Sequence, residues 1–344
     1  MLNFDSWSLS MSIIAFLVSG SIIGVAGVLL TIRAERIARI TGLGELLTGA
    51  ILIAAINSLA GLITTVTAAY NGHASLAISN SLGGIAAQTV FLVLADMVYR
   101  KANLEHAAAS ESNLLQGVVL IVLMALLVLA MAKPEIEVFK MHPVSFLIVA
   151  AYVAGLYLIH QAREQPMWRP RMTKETILDT EGTAQVSRQG ILFLCLSFGT
   201  LALLVGVAGW VLAHAAISIT LHAGLSETVV GGIFTAITNS LPELVVAITA
   251  VRRGALALAV GDILGGNAFD ILFVSAADAA YRNGSIYAVI TMTEIFWVAL
   301  TILLVGILLL GLLRREKHGI ANIGFESFLV LVFYITGIFV LLEN

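Results

Sequence analysis

The sequence predicts an all-α integral membrane protein, with ten transmembrane helices arranged as two inverted five-helix repeats. Three observations predict this fold class: the composition, the spacing of the apolar segments and an internal repeat. Of the 344 residues, 59% are hydrophobic and 11% are charged, whereas soluble domains carry about 25% charged residues. This composition excludes a water-soluble globular enzyme, and the apolar segments leave no room for a large domain outside the membrane.

Ten apolar segments are long enough to cross a bilayer as helices, which takes about 20 residues each. They lie at 10–32, 43–69, 74–99, 114–132, 143–162, 190–213, 225–251, 255–280, 287–313 and 320–342. The longest connection, 163–189, is polar, contains Pro166 and Pro170, and divides the chain nearly in half. We therefore expect a first five-helix repeat over 1–162, a linker over 163–189 and a second repeat over 190–344.

The distribution of Lys and Arg predicts the orientation, because positive residues near span ends are kept on the cytoplasmic side. With the N-terminus outside, 15 of the 18 Lys and Arg residues fall in the inner connections. The three outer ones are Lys133, Lys140 and Arg282. We expect both termini outside and the linker in the cytoplasm.

Other features of the sequence narrow the environment and the partners. The N-terminus, MLNFDSWSLS, has no basic residue, so the first apolar segment is expected to be a retained helix rather than a signal peptide. With the compact size, this favours a prokaryotic plasma membrane. A net charge of −3 with scattered basic residues argues against a nucleic-acid partner. The single cysteine, Cys195, allows no disulfide within the chain, and the oligomeric state is left open.

An internal repeat becomes visible when the sequence is shifted by 182 positions. The segment 42–96 then aligns with 224–278 without a gap, and 22 of the 55 pairs are identical. The identities include polar and glycine positions, such as Asn57 with Asn239 and Asp96 with Asp278. Because five spans is an odd number, the second copy enters the membrane from the opposite side. Inverted repeats with matched interruptions are typical of secondary transporters with an ion site near the bilayer midplane.

A proline and a carboxylate fall midway along the seventh predicted span. Pro242 removes a backbone donor and frees a carbonyl four residues earlier. Glu243 would cost roughly 2.5 to 3.5 kcal/mol at the centre of a span unless it is partnered. Freed carbonyls, hydroxyls and a carboxylate form an oxygen-rich site for a hard cation. We therefore interpret Glu243 as a cation ligand rather than a helix-joining acid.

The eighth predicted span carries a second acid in a glycine-rich run. Asp270 follows Asn267 by three residues, so both can share one helix face, and we interpret Asp270 as a second ligand. Asp262 is equally well explained as a vestibule acid or a ligand. A structural role at helix ends is expected for the remaining acids near span ends: Glu45, Asp96, Glu227, Asp278 and Glu294. The seven histidines show no metal-binding spacing, and no cofactor is expected.

These residues resemble the motifs of the cation/Ca2+ exchanger superfamily, of the sodium/calcium exchanger type. Its two inverted repeats each carry a Thr-Ser-Leu-Pro-Glu-Leu-like run and a Gly-Asn-x-x-Gly-Ser-Asn-x-x-Asn/Asp-like run. Here the second repeat has Ser-Leu-Pro-Glu-Leu at 240–244 and Gly-Gly-Asn-Ala-Phe-Asp at 265–270. The resemblance implies an antiporter that exports Ca2+ against Na+ or H+ by alternating access.

The resemblance also implies the members of a cation site between the second, third, seventh and eighth spans. Glu243 and Asp270 would be the metal ligands, and Asn239 stands where a Thr is usual. With the matching positions of the first repeat, the predicted cation-binding residues are Asn57, Ser58, Gln88, Asn239, Ser240, Glu243, Gly266, Asn267 and Asp270.

The first repeat departs from the family pattern. Gly61 replaces the second ligand Glu, Ala60 replaces its proline, and Gln88 replaces the last Asn. The site therefore has about one negative charge fewer than a two-Glu site, and restoring it by Gly61→Glu is expected to raise the affinity for divalent ions. The alternatives are a transporter of a different cation and a nontransporting membrane partner. A remote alternative is an intramembrane aspartyl protease that pairs Asp262 with Asp96 or Asp278.

Overall fold

The computed structural model describes residues 7–41, 54–99, 102–108, 110–164, 170–171, 188–317, 319 and 323–343. Over these residues the regular secondary structure is helical, apart from one isolated bridge between Val138 and Met141. The helices of the first half are α1 (Leu9–Thr41), α2 (Leu59–Tyr70), α3 (Ala74–Val98), α4 (Leu104–Ala107), α5 (Glu111–Ala132) and α6 (Pro143–Glu164). Those of the second half are α7 (Arg188–Ala223), α8 (Glu227–Asn239), α9 (Leu241–Arg253), α10 (Leu256–Asp270), α11 (Leu272–Ala280), α12 (Met292–Arg314) and α13 (Phe325–Leu342).

The described helices are those of an integral membrane protein. Eight helical segments are long and apolar enough to cross a bilayer, and the bent pair α8–α9 forms a ninth. The predicted second span, 43–69, is represented by the helical residues 54–57 and the 12-residue helix α2. Residues 43–53, including Glu45, lie outside the described residues. Most of the predicted linker, 163–189, lies outside them too. The number of ten spans therefore stays a prediction.

Burial separates one central helix from two peripheral ones. α3 is buried along nearly its whole length, and it packs against helices of both halves of the chain, including α2, α8, α9, α10 and α12. α1 and α7 pack mainly against each other, and together with Ile56 and Ala60 they form a second, smaller core. Their outward apolar side chains, such as Val25 and Leu203, are about 70% exposed. Such faces are suited to lipid, and the buried α3 is suited to carry the site.

Two helix interruptions occur at positions related by the offset of 182. α2 begins after Ser58, whose backbone has φ −91° and ψ 11°. α9 begins after Ser240, with φ −93° and ψ 5°, and the chain bends by 43° there. Pro242 explains the second interruption, because it donates no backbone hydrogen bond. Ser58 has the same backbone conformation although the first repeat carries Ala60 instead of the proline.

Two buried aspartates bind backbone N–H groups in the same way at offset-related positions. Asp96 accepts from Leu104 N at 2.5 Å and from Gly324 N at 3.2 Å. Asp278 accepts from Ile286 N at 2.8 Å and from His142 N at 2.7 Å. The partners, like the aspartates, differ by 182 positions: 104 with 286, and 142 with 324. Both acids satisfy backbone donors at helix ends, as the sequence predicted.

The other described acids near span ends also have structural partners. Glu294 is fully buried and forms the capping box of α12 with Thr291. Glu227 binds Leu76 N at 3.2 Å and lies 2.6 Å from Nδ1 of His73. The predicted structural roles of both residues are confirmed.

Candidate cation site

A small cavity lies where α2, α3, α8, α9 and the junction of α10 and α11 meet. Six of the nine predicted site residues line it: Ser58, Gln88, Asn239, Ser240, Glu243 and Asp270. The helix interruptions at Ser58 and Ser240 lie at its wall, so backbone polar groups as well as side chains can face it. Sequence positions from both halves of the chain are thereby brought to one place.

Two buried carboxylates face this cavity. Glu243 and Asp270 are 8% and 3% exposed. Within the described structure, Glu243 Oε2 and Asp270 Oδ1 have no hydrogen-bond partner. None of the described residues that line the cavity is basic. A buried carboxylate oxygen without a partner is costly, and a bound cation would remove that cost.

Gln88 connects the two halves of the site. Its Nε2 donates to Asp270 Oδ2 at 2.8 Å and to Ser240 Oγ at 3.2 Å. Ser58 also lies close to the Asp270 carboxylate. The pairs Ser58–Asp270 and Ser240–Gln88 are related by the offset of 182. A serine at a helix interruption therefore lies beside a carboxylate in one case and beside an amide in the other.

A second hydrogen-bond network, centred on Asn80, holds Asn239 at the edge of the cavity. Asn239 Nδ2 donates to Asn80 Oδ1 at 3.0 Å, and its Oδ1 accepts from Thr64 Oγ1 at 3.4 Å. Asn80 Nδ2 donates to Thr65 Oγ1 at 2.9 Å and to the carbonyl of Gly61 at 3.3 Å. Because both ends of the Asn239 amide are engaged, this side chain positions α8 against α2 and α3.

Three predicted site residues do not line the cavity. Asn57 accepts a hydrogen bond from Thr31 of α1 at 2.8 Å. Asn267 is fully buried, donates to Thr89 at 3.2 Å and keeps Oδ1 without a partner. Gly266 lies next to the site, since a Cβ built on it would be 3.7 Å from Gln88 Oε1. These residues support the site from behind rather than facing it.

The structure adds six lining residues that the sequence analysis did not select: Gly61, Asn80, Ser81, Gly84, Ala236 and Phe273. Phe273 is 3% exposed, and a Cβ built on Gly61 would lie 3.1 Å from its Cε2. The ring therefore occupies space beside the position where the family pattern has a second Glu. An aromatic residue in an apolar helix gives no signal of such a role, whereas Asn80 could have been selected because it aligns with the polar Asp262.

The remaining acidic candidates are not part of this site. Asp262 is not among the cavity-lining residues, and Asp96 and Asp278 each bind two backbone N–H groups as described above. A protease dyad built on these acids is therefore not supported. Over the described residues, no group of three or more His, Cys, Asp or Glu side chains could hold a metal ion. Glu243 and Asp270 are the two carboxylates that the cavity provides.

A bundle of membrane-spanning helices around a buried, acid-lined cavity defines a membrane carrier for cations. The family model described as sodium/calcium exchanger protein matches residues 11–160 and 192–342. The chain therefore belongs to the sodium/calcium exchanger family of cation antiporters, which confirms the resemblance inferred from its motifs.

Two curated bacterial relatives cover most of the chain. A putative antiporter, CaxA, from Alkalimonas amylolytica is 27% identical over 292 residues, which are 82% of this chain and 85% of the relative. Inner membrane protein YrbG of Escherichia coli K12 is 25% identical over 261 residues, 75% of this chain and 76% of the relative. The similarity is thus spread over both halves.

Solved structures share the fold. The crystal structure of the H+/Ca2+ exchanger CAX matches with a TM-score of 0.72 at 14% identity, over 96% of this chain and 85% of that chain. A structure of the sodium-calcium exchanger NCX_Mj matches with a TM-score of 0.59 at 17% identity, over 96% of this chain and 99% of that chain. At these identities the likeness establishes the fold alone.

Proposed function

We propose that this protein exchanges Ca2+ for Na+ or H+ across a prokaryotic plasma membrane, by alternating access to the cavity at Glu243 and Asp270. The observation that carries the proposal is the pair of buried carboxylates, each with a partnerless oxygen, in a cavity with no basic lining residue. Oxygen-rich sites with carboxylates bind Ca2+. The names of the similar proteins, a putative antiporter and H+/Ca2+ and sodium-calcium exchangers, support the same choice of ions.

The proposed architecture is two inverted five-helix repeats, over 1–162 and 190–344, with a cytoplasmic linker at 163–189 and both termini outside. Its support is the set of equivalent contacts at an offset of 182: the interruptions at Ser58 and Ser240, and the backbone contacts of Asp96 and Asp278. Because the two inverted repeats have the same fold, each repeat can adopt the conformation of the other. The carrier then has an outward-open and an inward-open form.

The proposed division of labour follows the contacts. Glu243 and Asp270 neutralise the cation, and the oxygens of Ser58, Ser240 and Gln88 complete its coordination. Gln88 must rotate for this, because its Nε2 now donates to Asp270 and its buried Oε1 has no partner within the described structure. Asn57, Asn239, Gly266 and Asn267 hold the surrounding helices. Alternation would come from movement of α1 and α7, which pack together around the smaller core.

The number of carboxylates sets the proposed charge balance. Ca2+ neutralises the two ionised acids of the cavity, and so do two monovalent cations. Exchange of one Ca2+ for two Na+ or two H+ therefore moves no net charge. With no Glu at position 61, a third monovalent cation lacks a carboxylate partner at the site. Flux through this protein is accordingly expected to be insensitive to the membrane potential.

The decisive experiment measures 45Ca2+ uptake into proteoliposomes under an imposed Na+ gradient and then under a pH gradient, with the membrane potential clamped at two values. Wild type is compared with Glu243→Gln and with Glu137→Gln, which removes the same charge from an exposed position away from the cavity. Uptake should be lost in Glu243→Gln at normal yield of folded protein and retained in Glu137→Gln. Near-normal flux in Glu243→Gln would refute the site.

A different transported cation is the second candidate, favoured by the absence of the first-repeat Glu at Gly61. Lack of Ca2+ uptake by folded wild type, together with Glu243-dependent uptake of another ion in a screen of mono- and divalent cations, would select this alternative.

A further inference from the structure

Three buried carboxylates lie together at the end of α3, far along the helix from the transport cavity. We call Asp96, Glu105 and Glu326 the end cluster; they are 0%, 5% and 7% exposed. Asp96 is at the end of α3, Glu105 is in the short helix α4, and Glu326 is in the first turn of α13. The cluster therefore ties a helix that carries site residues to the last helix of the chain.

The hydrogen bonds of the cluster leave one carboxyl oxygen without a partner. Both oxygens of Asp96 accept backbone N–H groups, and Glu326 Oε1 accepts from Arg314 at 3.0 Å. Glu105 Oε1 is bonded by the hydroxyl of Ser327, whereas its buried Oε2 has no partner within the described structure. An ionised Glu105 would be a buried charge with one oxygen unsatisfied, which is costly.

The opposite end of the molecule shows that the fold does not need acids here. The offset of 182 places Tyr287 opposite Glu105, Ser145 opposite Ser327, and Val144 opposite Glu326. Asp278 there makes the same backbone contacts as Asp96, and Tyr287 is buried. Equivalent packing is thus achieved with a neutral phenol and an aliphatic side chain. Glu105 and Glu326 therefore provide ionisable carboxyl groups at positions where the opposite end of the molecule has none.

We propose that Glu105 is a proton-binding site, separate from the transport site, whose protonated form holds α4 against α13 and whose ionisation weakens that contact. A proton removes the charge from a buried carboxyl whose second oxygen has no donor. Ionisation would instead place three carboxylates at one point, and the guanidinium of Arg314 is already shared between Glu326 and Glu316.

Among the described residues, the charged and titratable groups around Glu105 are Asp96 on α3, His106 on α4, Arg314, Arg315 and Glu316 at the end of α12, and Glu326 on α13. The carboxylates among them oppose ionisation of Glu105, whereas guanidinium groups favour it. His106 and Arg315 bond each other's backbone carbonyls. Burial, together with the carboxylates of Glu326 and Glu316, raises the pKa of Glu105, against the opposing hydrogen bond from Ser327.

The stability of the protein should report this proton. In the unfolded chain a glutamate titrates at about pH 4.3. Because the pKa of Glu105 is raised in the folded state, protonation of Glu105 stabilises the fold fully below about pH 4.3. This stabilisation is lost as the pH rises through the pKa of Glu105 in the folded state. We expect the unfolding temperature of the full-length protein in detergent to fall over this range. Glu105→Gln mimics the protonated form and should remove this part of the fall. At the high-pH end of the range its unfolding temperature should exceed that of wild type by about 2 °C or more.

The control variant is Glu137→Gln, which removes an exposed carboxylate and should reproduce the wild-type profile. Infrared difference spectra between the low-pH and high-pH ends of the profile provide a second readout: wild type should show a protonated carboxyl band at low pH that Glu105→Gln lacks. Parallel pH profiles of wild type and Glu105→Gln, or an unchanged carboxyl band, would overturn the proposal. So would a Glu105-dependent stabilisation by added Ca2+ that exceeds the effect of lowering the pH, because the cluster would then be a metal site. Neither readout requires transport, so failure of the proposed exchange activity would be distinguishable.

Discussion

The residue that most distinguishes this cavity is Gly61, which aligns with Glu243. Its missing side chain does not leave an empty space, because the ring of Phe273 packs beside it. The loss of one acid is thus accompanied by an apolar side chain at the same wall. The sequence predicted the lost charge, but it could not predict the ring, because contact between positions 61 and 273 depends on the packing of α2 against α11.

This contact refines the expected effect of restoring the acid. Gly61→Glu alone should lower the yield of folded protein, because its Cβ would lie 3.1 Å from the ring of Phe273 and the longer side chain needs further room. Combined with Phe273→Ala, the same change should raise the apparent affinity for Ca2+ about tenfold or more, since an added carboxylate strengthens a divalent site. Calorimetric titration of both variants measures this.

Phe273→Ala alone is the control for the enlarged cavity, and it should not raise the Ca2+ affinity. Higher affinity in the single variant Gly61→Glu, at wild-type stability, would show that the ring does not restrict this position.

At the scale of single helices, sequence patterns predicted where most spans lie but not how they are broken. The apolar segments at 74–99, 114–132 and 287–313 agree closely with α3, α5 and α12. The interruption at Pro242 was predicted from the missing backbone donor. The matching interruption at Ser58 has no proline, and the π-helix at Val230–Thr235 has no simple sequence signature. Both features depend on tertiary contacts, so the sequence did not predict them.

The π-helix brings the backbones of α8 and α3 into close contact. A Cβ built on Gly83 would lie 2.1 Å from the carbonyl oxygen of Gly232, whereas one built on Gly84 would be 3.6 Å from Ser240 Oγ. Gly83→Ala should therefore displace a backbone and destabilise the fold by about 3 kcal/mol or more. Gly84→Ala, the neighbouring control, should fold normally.

Unfolding temperatures and the monodisperse fraction in detergent measure this difference. Equal behaviour of the two variants would show that α3 and α8 are not packed backbone to backbone.

At the scale of the whole molecule, the repeat extends beyond the segment in which the sequences are similar. The contacts of Asp96 and Asp278 relate position 142 to position 324, where the side chains are those of His142 and Gly324. The sequence could not reveal this pair, because the backbone N–H makes the contact and any residue other than proline supplies one. Geometry is therefore repeated where residue identity is not.

Inverted repeats make a prediction about matched positions: two residues that differ by 182 must face opposite sides of the membrane. Asn71 and Arg253 are such a pair: Asn71 lies in the link after α2, Arg253 is the last residue of α9, and both are exposed. Because Cys195 is the one cysteine of the chain, Cys195→Ser provides a background for single cysteines. In intact cells, a membrane-impermeant maleimide should label Asn71→Cys and not Arg253→Cys, and everted vesicles should give the reverse. Labelling of both cysteine variants from the same side would exclude the inverted arrangement. If intact cells labelled Arg253→Cys and not Asn71→Cys, the inversion would stand but both termini would lie inside.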